Sequence, residues 1–260
     1  MSGCPPGDTP TEAGIAALGR VFAVFDRQDS GCVSYGIQDA GRRLFVKRAT
    51  TPAAAHGLRR AAHLHRTVSH PALAPFHGEM ALPGGTIALV FDWLPGEILY
   101  HPAGREALPR HHPDSPHARF RARPTEETLA ALDTLYDLHR VVAAAGFIAV
   151  DLYDGCLLYD FERAALHVID LDEYRTGPFA NHTDRLPGST RFMAPEEFTR
   201  GARIDQATTV FTLGRCARVL LEEIPDPLAA VIDRATRPDR ADRHATVAEF
   251  VAAWDAGRLR

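Results

Sequence analysis

Short apolar bursts dominate the chain up to Trp93, and longer helical stripes dominate after it. VFAVFD from Val21, CVSYGI from Cys32 and RLFVK from Arg43 are runs rich in β-branched and aromatic residues; the intervening QDAG, with Asp39 and Gly41, suits a hairpin turn between the last two. Three successive strands predict an antiparallel sheet. AAAHGLRRAAHLHRTVS, from Ala53, has no breaker after Gly57 and predicts a helix that ends before Pro71. FHGEM from Phe76, the turn LPGG and the strand TIALVFDW from Thr86 complete a β-β-β-α-β-β order. Upstream, residues 1–10 read as a tail, and TEAGIAALGR reads as a short helix capped by Thr11 and closed near Gly19.

Beyond Glu97 the pattern changes. Residues 101–124, HPAGREALPRHHPDSPHARFRARP, have no hydrophobic period and predict a loop insertion with a solvated basic face, or alternatively a docking site for an acidic partner. From Thr125, with Glu126 and Glu127 in the first turn, Leu129, Leu132, Leu135, Leu138 and Val142 keep helical spacing as far as Gly146. CLLYDF from Cys156 and ALHVIDLD from Ala165 predict two strands, and DQATTVFTLGRCARVLLEE and TVAEFVAAW predict helices. The fold class is α+β, with a small sheet first and a mainly helical remainder.

Composition narrows the partners. The 260 residues carry a formal charge of -4, which gives no bulk attraction to nucleic acid or anionic membranes. Cys4, Cys32, Cys156 and Cys216 form no CxxC pair and fit reduced thiols. No apolar stretch is long enough for a bilayer and no signal peptide opens the chain, so a cytoplasmic protein with no nucleic-acid or membrane partner is expected. Arginine supplies 28 of the 29 basic side chains, and Lys47 is the one lysine. Arginine serves wherever only charge matters, so a lone lysine at the end of an apolar run needs a chemical reason.

Lys47 ends a strand, Asp151 follows the long helix and Asp170 follows HVI. Two carboxylates flanking a short hairpin can face one cavity and hold a divalent ion, while an ammonium from another part of the chain holds an anion between them.

From about residue 20 onward, the order of these elements resembles the protein kinase superfamily, in particular bacterial serine/threonine kinases. GSTRFMAPEE, with Gly188, Ser189, Met193, Ala194, Pro195 and Glu196, resembles the end of an activation segment. LFVK resembles the strand of the phosphate-binding lysine, SHPALAPFHG the helix-to-strand passage, and LVFDWLPGE the fifth strand and hinge with Phe91 as gatekeeper. VDLYDGCLLYD resembles the catalytic loop, VIDLDEY the DFG region, and TVFTLGRCARVLL the central helix. Arg243, in the closing TRPDRADRHATVAEFVAAW, matches the arginine that pairs with Glu196.

The resemblance implies a bilobal fold, with a tail over 1–19, an N-lobe over 20–94, a C-lobe over 95–260 and an activation segment over 170–196. It implies ATP and Mg2+ or Mn2+ as cofactors and a protein substrate bearing a Ser/Thr hydroxyl. Asp151 would be the catalytic base; Lys47, Gly31, Val33, Asp92 and Leu94 would bind nucleotide; Asp170 and Asp172 would bind metal.

Several positions depart from the family pattern. DRQDSGCV keeps only Gly31 and Val33 of GxGxxGxV, with Asp26 and Gln28 at the first two glycine positions. The helix glutamate that pairs with the lysine falls near Ala61, which leaves Asp170 to orient Lys47. AVD replaces HRD, so Val150 cannot pair with a phosphate on Thr183, Ser189 or Thr190. Cys156 replaces the second metal-binding asparagine, with Asp172 or Asp154 as substitute donors, and Thr209 replaces an aspartate of the central helix. Two other functions fit the residues: a small-molecule phosphotransferase, since DLYDGC is similar to the DLHPGN loop of antibiotic kinases, and a pseudokinase that binds without transferring.

Overall fold

The computed structural model describes residues 13–26, 30–82, 86–100 and 108–259. The expectations for residues 1–10, Thr11, Gln28, the centre of the LPGG turn and residues 101–107 fall outside these. Helix α1 (Ala13–Ala16) leads into β1 (Arg20–Phe25), β2 (Cys32–Asp39), β3 (Arg42–Ala49), helix α2 (Pro52–Thr67), β4 (Phe76–Ala81) and β5 (Ile87–Asp92). The five strands form one antiparallel sheet in the order β1-β2-β3-β5-β4.

Strand alternation sorts the side chains to two faces. Tyr35, Ile37, Leu44 and Val46 pack with Ile15 of α1 on one face, while Cys32, Ala49, Leu89 and Phe91 pack against α2 on the other. The β2–β3 turn consists of Ala40 and Gly41, with φ of 38° and 90°, and pairs Asp39 with Arg42. Left-handed backbone at both positions is what a two-residue hairpin requires. Helix α2 starts one residue before the expected Ala53: Thr51 accepts from the Ala54 N–H, and Pro52 takes the first helical position.

A short β6 (Glu97–Ile98) and α3 (Pro116–Arg121) precede the long α4 (Thr125–Ala144). Then come β7 (Phe147–Ile148), β8 (Leu157–Asp160), β9 (Ala165–Val168), β10 (Arg175–Thr176), β11 (Phe179–Ala180) and β12 (Arg203–Ile204). Helices α5 (Gln206–Leu220), α6 (Asp226–Ala235) and α7 (Val247–Arg258) close the chain. β6, β8 and β9 form a three-stranded sheet, and β7 pairs with β10. A second core, including Leu132, Leu135, Tyr136, Leu213, Phe250 and Trp254, gathers α4, α5 and α7. The strand β9 also reaches back toward the sheet: the Val168 N–H donates to the Ala72 carbonyl at 2.9 Å, just after α2.

Residues 108–124 carry more structure than the expected loop. Ser115 caps α3 by accepting from the Ala118 N–H, Pro116 sits in its first turn, and Ser115, His117 and Phe120 are buried. The start signal was a cap followed by proline, which a search for hydrophobic period passes over. No helix among the described residues is long and apolar enough to cross a membrane.

Candidate active site

Lys47 stands on β3 opposite Ser34 of β2 and Leu89 of β5, on the face that α2 covers. Its Nζ donates to Asp170 Oδ1 at 2.6 Å and to Asp172 Oδ2 at 2.5 Å, and the residue is only 7% exposed. Burial pushes the ammonium toward neutrality, but the two carboxylates outweigh it and hold the Lys47 pKa well above its ordinary value. The lone lysine is therefore a buried cation shared by two acids. Ala61, where the resemblance puts a glutamate, is buried, and Asp172 supplies the second carboxylate that α2 lacks.

Asp151 comes three residues after β7 and Asp170 two after β9, and both have left-handed backbone, with φ of 61° and 63°. Aspartate tolerates this region better than most residues, but two such positions bearing carboxylates mark a strained, shaped site. Burial, followed by the charges of Asp170 and Glu173, raises the Asp151 carboxyl to about 7. Gly188 lies alongside, with φ of 144°; a Cβ there would sit 3.7 Å from the Asp151 Cα.

The two substitute oxygen donors separate clearly. Asp172 faces Lys47, whereas the fully buried Asp154 accepts from Arg110 Nε at 2.5 Å and Nη2 at 2.7 Å, with His117 Nδ1 3.2 Å away. Asp154 is thus engaged by the 108–124 segment. Cys156 donates its thiol to the Asp151 carbonyl at 3.1 Å. Burial and the charges of Asp170 and Asp151 raise its pKa well above the ordinary thiol value, so it is a packed thiol that braces the loop and has little thiolate character. Thr209 braces the same loop from α5, accepting from the Ala149 N–H at 3.2 Å.

The remaining expected nucleotide contacts are spread out. Gly31, with φ of 67°, packs on the α2 cap: a Cβ there would meet Thr51 Oγ1 at 2.8 Å, and its carbonyl accepts from the Thr50 N–H. Val33 pairs with Arg48 and packs with the α1-side core, on the face opposite Lys47, so Cys32 and Ser34 are the β2 residues on the lysine side. Asp92, at the end of β5, accepts at Oδ1 from His77 Nε2 at 2.7 Å, and Leu94 is half-buried just beyond it.

The sequence reading missed an aromatic group on the lysine face. Phe22 and Trp93 lie over Gly36, where a Cβ would meet Phe22 Cζ at 2.6 Å and Trp93 Cζ3 at 2.8 Å; Phe45 and Phe25 adjoin Trp93, and the Arg43 guanidinium stacks on Phe22. A glycine inside a strand was the available signal for such a close approach.

Asp170 and Asp172 offer hard oxygen donors within reach of one another, which fits a single divalent ion completing its sphere with phosphate oxygens and water. Among the described residues no group of three or more His, Cys, Asp or Glu side chains could hold a metal by itself. Further along, Glu196 and Arg243 form a bidentate pair, at 2.7 Å (Nη1 to Oε1) and 2.9 Å (Nη2 to Oε2). No protein-family model matches this chain, and no curated protein matches it.

Proposed function

We propose that the chain is an ATP-dependent phosphotransferase of the serine/threonine protein kinase type, with a bilobal kinase-like fold divided near residue 94. The observation that carries this reading is the bond from the lone lysine to Asp170, made beside an Asp151 whose pKa lies near neutrality. Lys47 would hold nucleotide phosphate oxygens, Asp170 and Asp172 would hold one Mg2+ or Mn2+, and Asp151 would orient the acceptor hydroxyl and take its proton. MgATP supplies the phosphoryl group when bound. The unpaired Cys32, Cys156 and Cys216 suit a reducing cytoplasmic setting.

The test is transfer of label from γ-labelled ATP, with Mg2+ or Mn2+, to the chain itself or to a generic acceptor protein. Asp151→Asn should reduce labelling by about 10²-fold or more. Labelling that survives the substitution removes Asp151 from its role.

One observation favours a second reading, a nucleotide-binding module without transfer: the residue at the second metal-binding position, Cys156, spends its side chain on the Asp151 carbonyl. A nucleotide-dependent rise in Tm with no labelling under either metal would select this reading.

A further inference from the structure

We propose that Arg60 is a positioning residue, which ties α2 to the Asp172–Glu173 segment and thereby keeps Lys47 enclosed between its two carboxylates. The proposal deepens the phosphotransferase reading, since Lys47 and Asp172 are the groups assigned there to phosphate and metal. It rests on contacts that the resemblance to kinases did not suggest, because an acid was sought near Ala61, and Arg60, one residue before it, bears a cation.

Gly57 and Arg60 lie one turn apart on the same side of α2. At Gly57 the helix backbone comes so close to the segment that a Cβ would stand 3.4 Å from the Asp172 Cβ and 3.5 Å from its carbonyl oxygen. Arg60 then crosses the same seam. Its Nε donates to the Asp172 carbonyl at 2.9 Å and its Nη2 to Glu173 Oε1 at 2.8 Å. One guanidinium therefore fixes both the backbone of Asp172 and the side chain of its neighbour, a two-point grip that its planar fork provides and a lysine would not.

The link continues on both sides. Asp172 Oδ2 holds Lys47, so fixing the Asp172 backbone fixes one of the two acids that enclose the ammonium. Glu173 Oε2 accepts from Arg175 Nη2 at 3.1 Å, and Arg175 stands on β10, paired with Ile148 of β7, the strand that leads into Asp151. A displacement of α2 thus reaches Lys47 through Asp172 and the Asp151 loop through Glu173 and Arg175. Arg60 and Glu173 are both partly exposed, so neither is needed to fill the core.

The chain has a single lysine, and this makes the proposal measurable without any activity. The rate at which acetic anhydride modifies Lys47, read by mass spectrometry against an added lysine peptide, reports how well that side chain is enclosed. Arg60→Gln and Glu173→Gln should each raise this rate roughly tenfold, and the double variant should rise by less than the product of the two, as coupled residues do. Near-UV circular dichroism and the urea midpoint identify folded variants, and the near-isosteric Glu173→Gln keeps the test open if Arg60→Gln does not fold. An unchanged Lys47 rate in folded single variants, or effects that simply multiply, overturns the coupling. If the enclosure responds as expected while the wild-type chain labels nothing with ATP, the phosphotransferase reading falls and the positioning role stands.

Discussion

Asp151 owes its behaviour to what surrounds it. It is largely withdrawn from water, Asp170, Glu173 and Asp172 oppose its ionisation, and Lys47, already engaged by two acids, favours it only in part. With a carboxyl raised to about 7, the protonated form persists through mildly acidic pH and the proton-accepting form appears as pH rises. The labelling rate should therefore climb between about pH 6 and 8 and level off above. Glu173→Gln removes one of the opposing charges, so it should lower the Asp151 pKa and move the rising limb to lower pH. A limb that stays in place in that variant would assign the titration to another group. Cys32, on the neighbouring strand, cannot supply it: burial, ahead of every other influence, raises its thiol to about 11.

The 108–124 segment shows how an element can be anchored by chemistry that its sequence pattern does not advertise. Phe120 enters the large core, but the grip on the loop after Asp151 is electrostatic: Arg110, lying on the Tyr100 ring, clamps the buried Asp154 through two hydrogen bonds. Burial pushes the Asp154 carboxyl up, yet the bonds from Arg110 and the approach of His117 outweigh it and hold the group below its usual range. Arg110→Ala leaves that buried charge with His117 alone beside it and should cost about 3 kcal/mol of stability in urea unfolding near neutral pH. Because the folded pKa is depressed, the stabilisation is present above the unfolded value near 4 and is lost as pH falls through the folded one, so the deficit should narrow in acid. A deficit independent of pH would mean that Arg110 acts through packing on Tyr100 alone. Strands and long helices were legible because one repeated spacing writes each of them many times over. The short α3 is written once, in Ser115 and Pro116, inside a stretch whose prolines and histidines hide it.

At the scale of the whole molecule, the residues that converge from far apart in the chain were legible only through their order. Lys47, Asp170 and Asp151 could be singled out as chemically apt, but the pairing of Lys47 with Asp172 and of Arg60 with Glu173 depends on the seam between α2 and residues 172–173, which no local spacing encodes. The face of Val33 shows the same limit, since one residue of register decides the side of a strand that a residue occupies. The Glu196 to Arg243 pair was foreseen as a pair, but its reach was not. Arg243 is fully buried in its side chain and uses all its N–H groups: Nη1 on Glu196 and the Ala207 carbonyl, Nη2 on Glu196 and the Pro238 carbonyl, and Nε on the Arg237 carbonyl. It thus joins the segment after Gly188, the start of α5 and the stretch after α6. Five fixed donors in a plane satisfy four acceptor groups in different directions, while an ammonium offers three from a single point. Arg243→Ala should lower stability by about 3–5 kcal/mol, because it leaves Glu196 charged and nearly buried and three carbonyls without a donor. Arg243→Lys keeps the charge yet should recover less than about half of that loss, since the carbonyls lose the fork. Urea midpoints for the two variants separate the possibilities: equal midpoints for lysine and wild type would show that charge alone holds these three segments together.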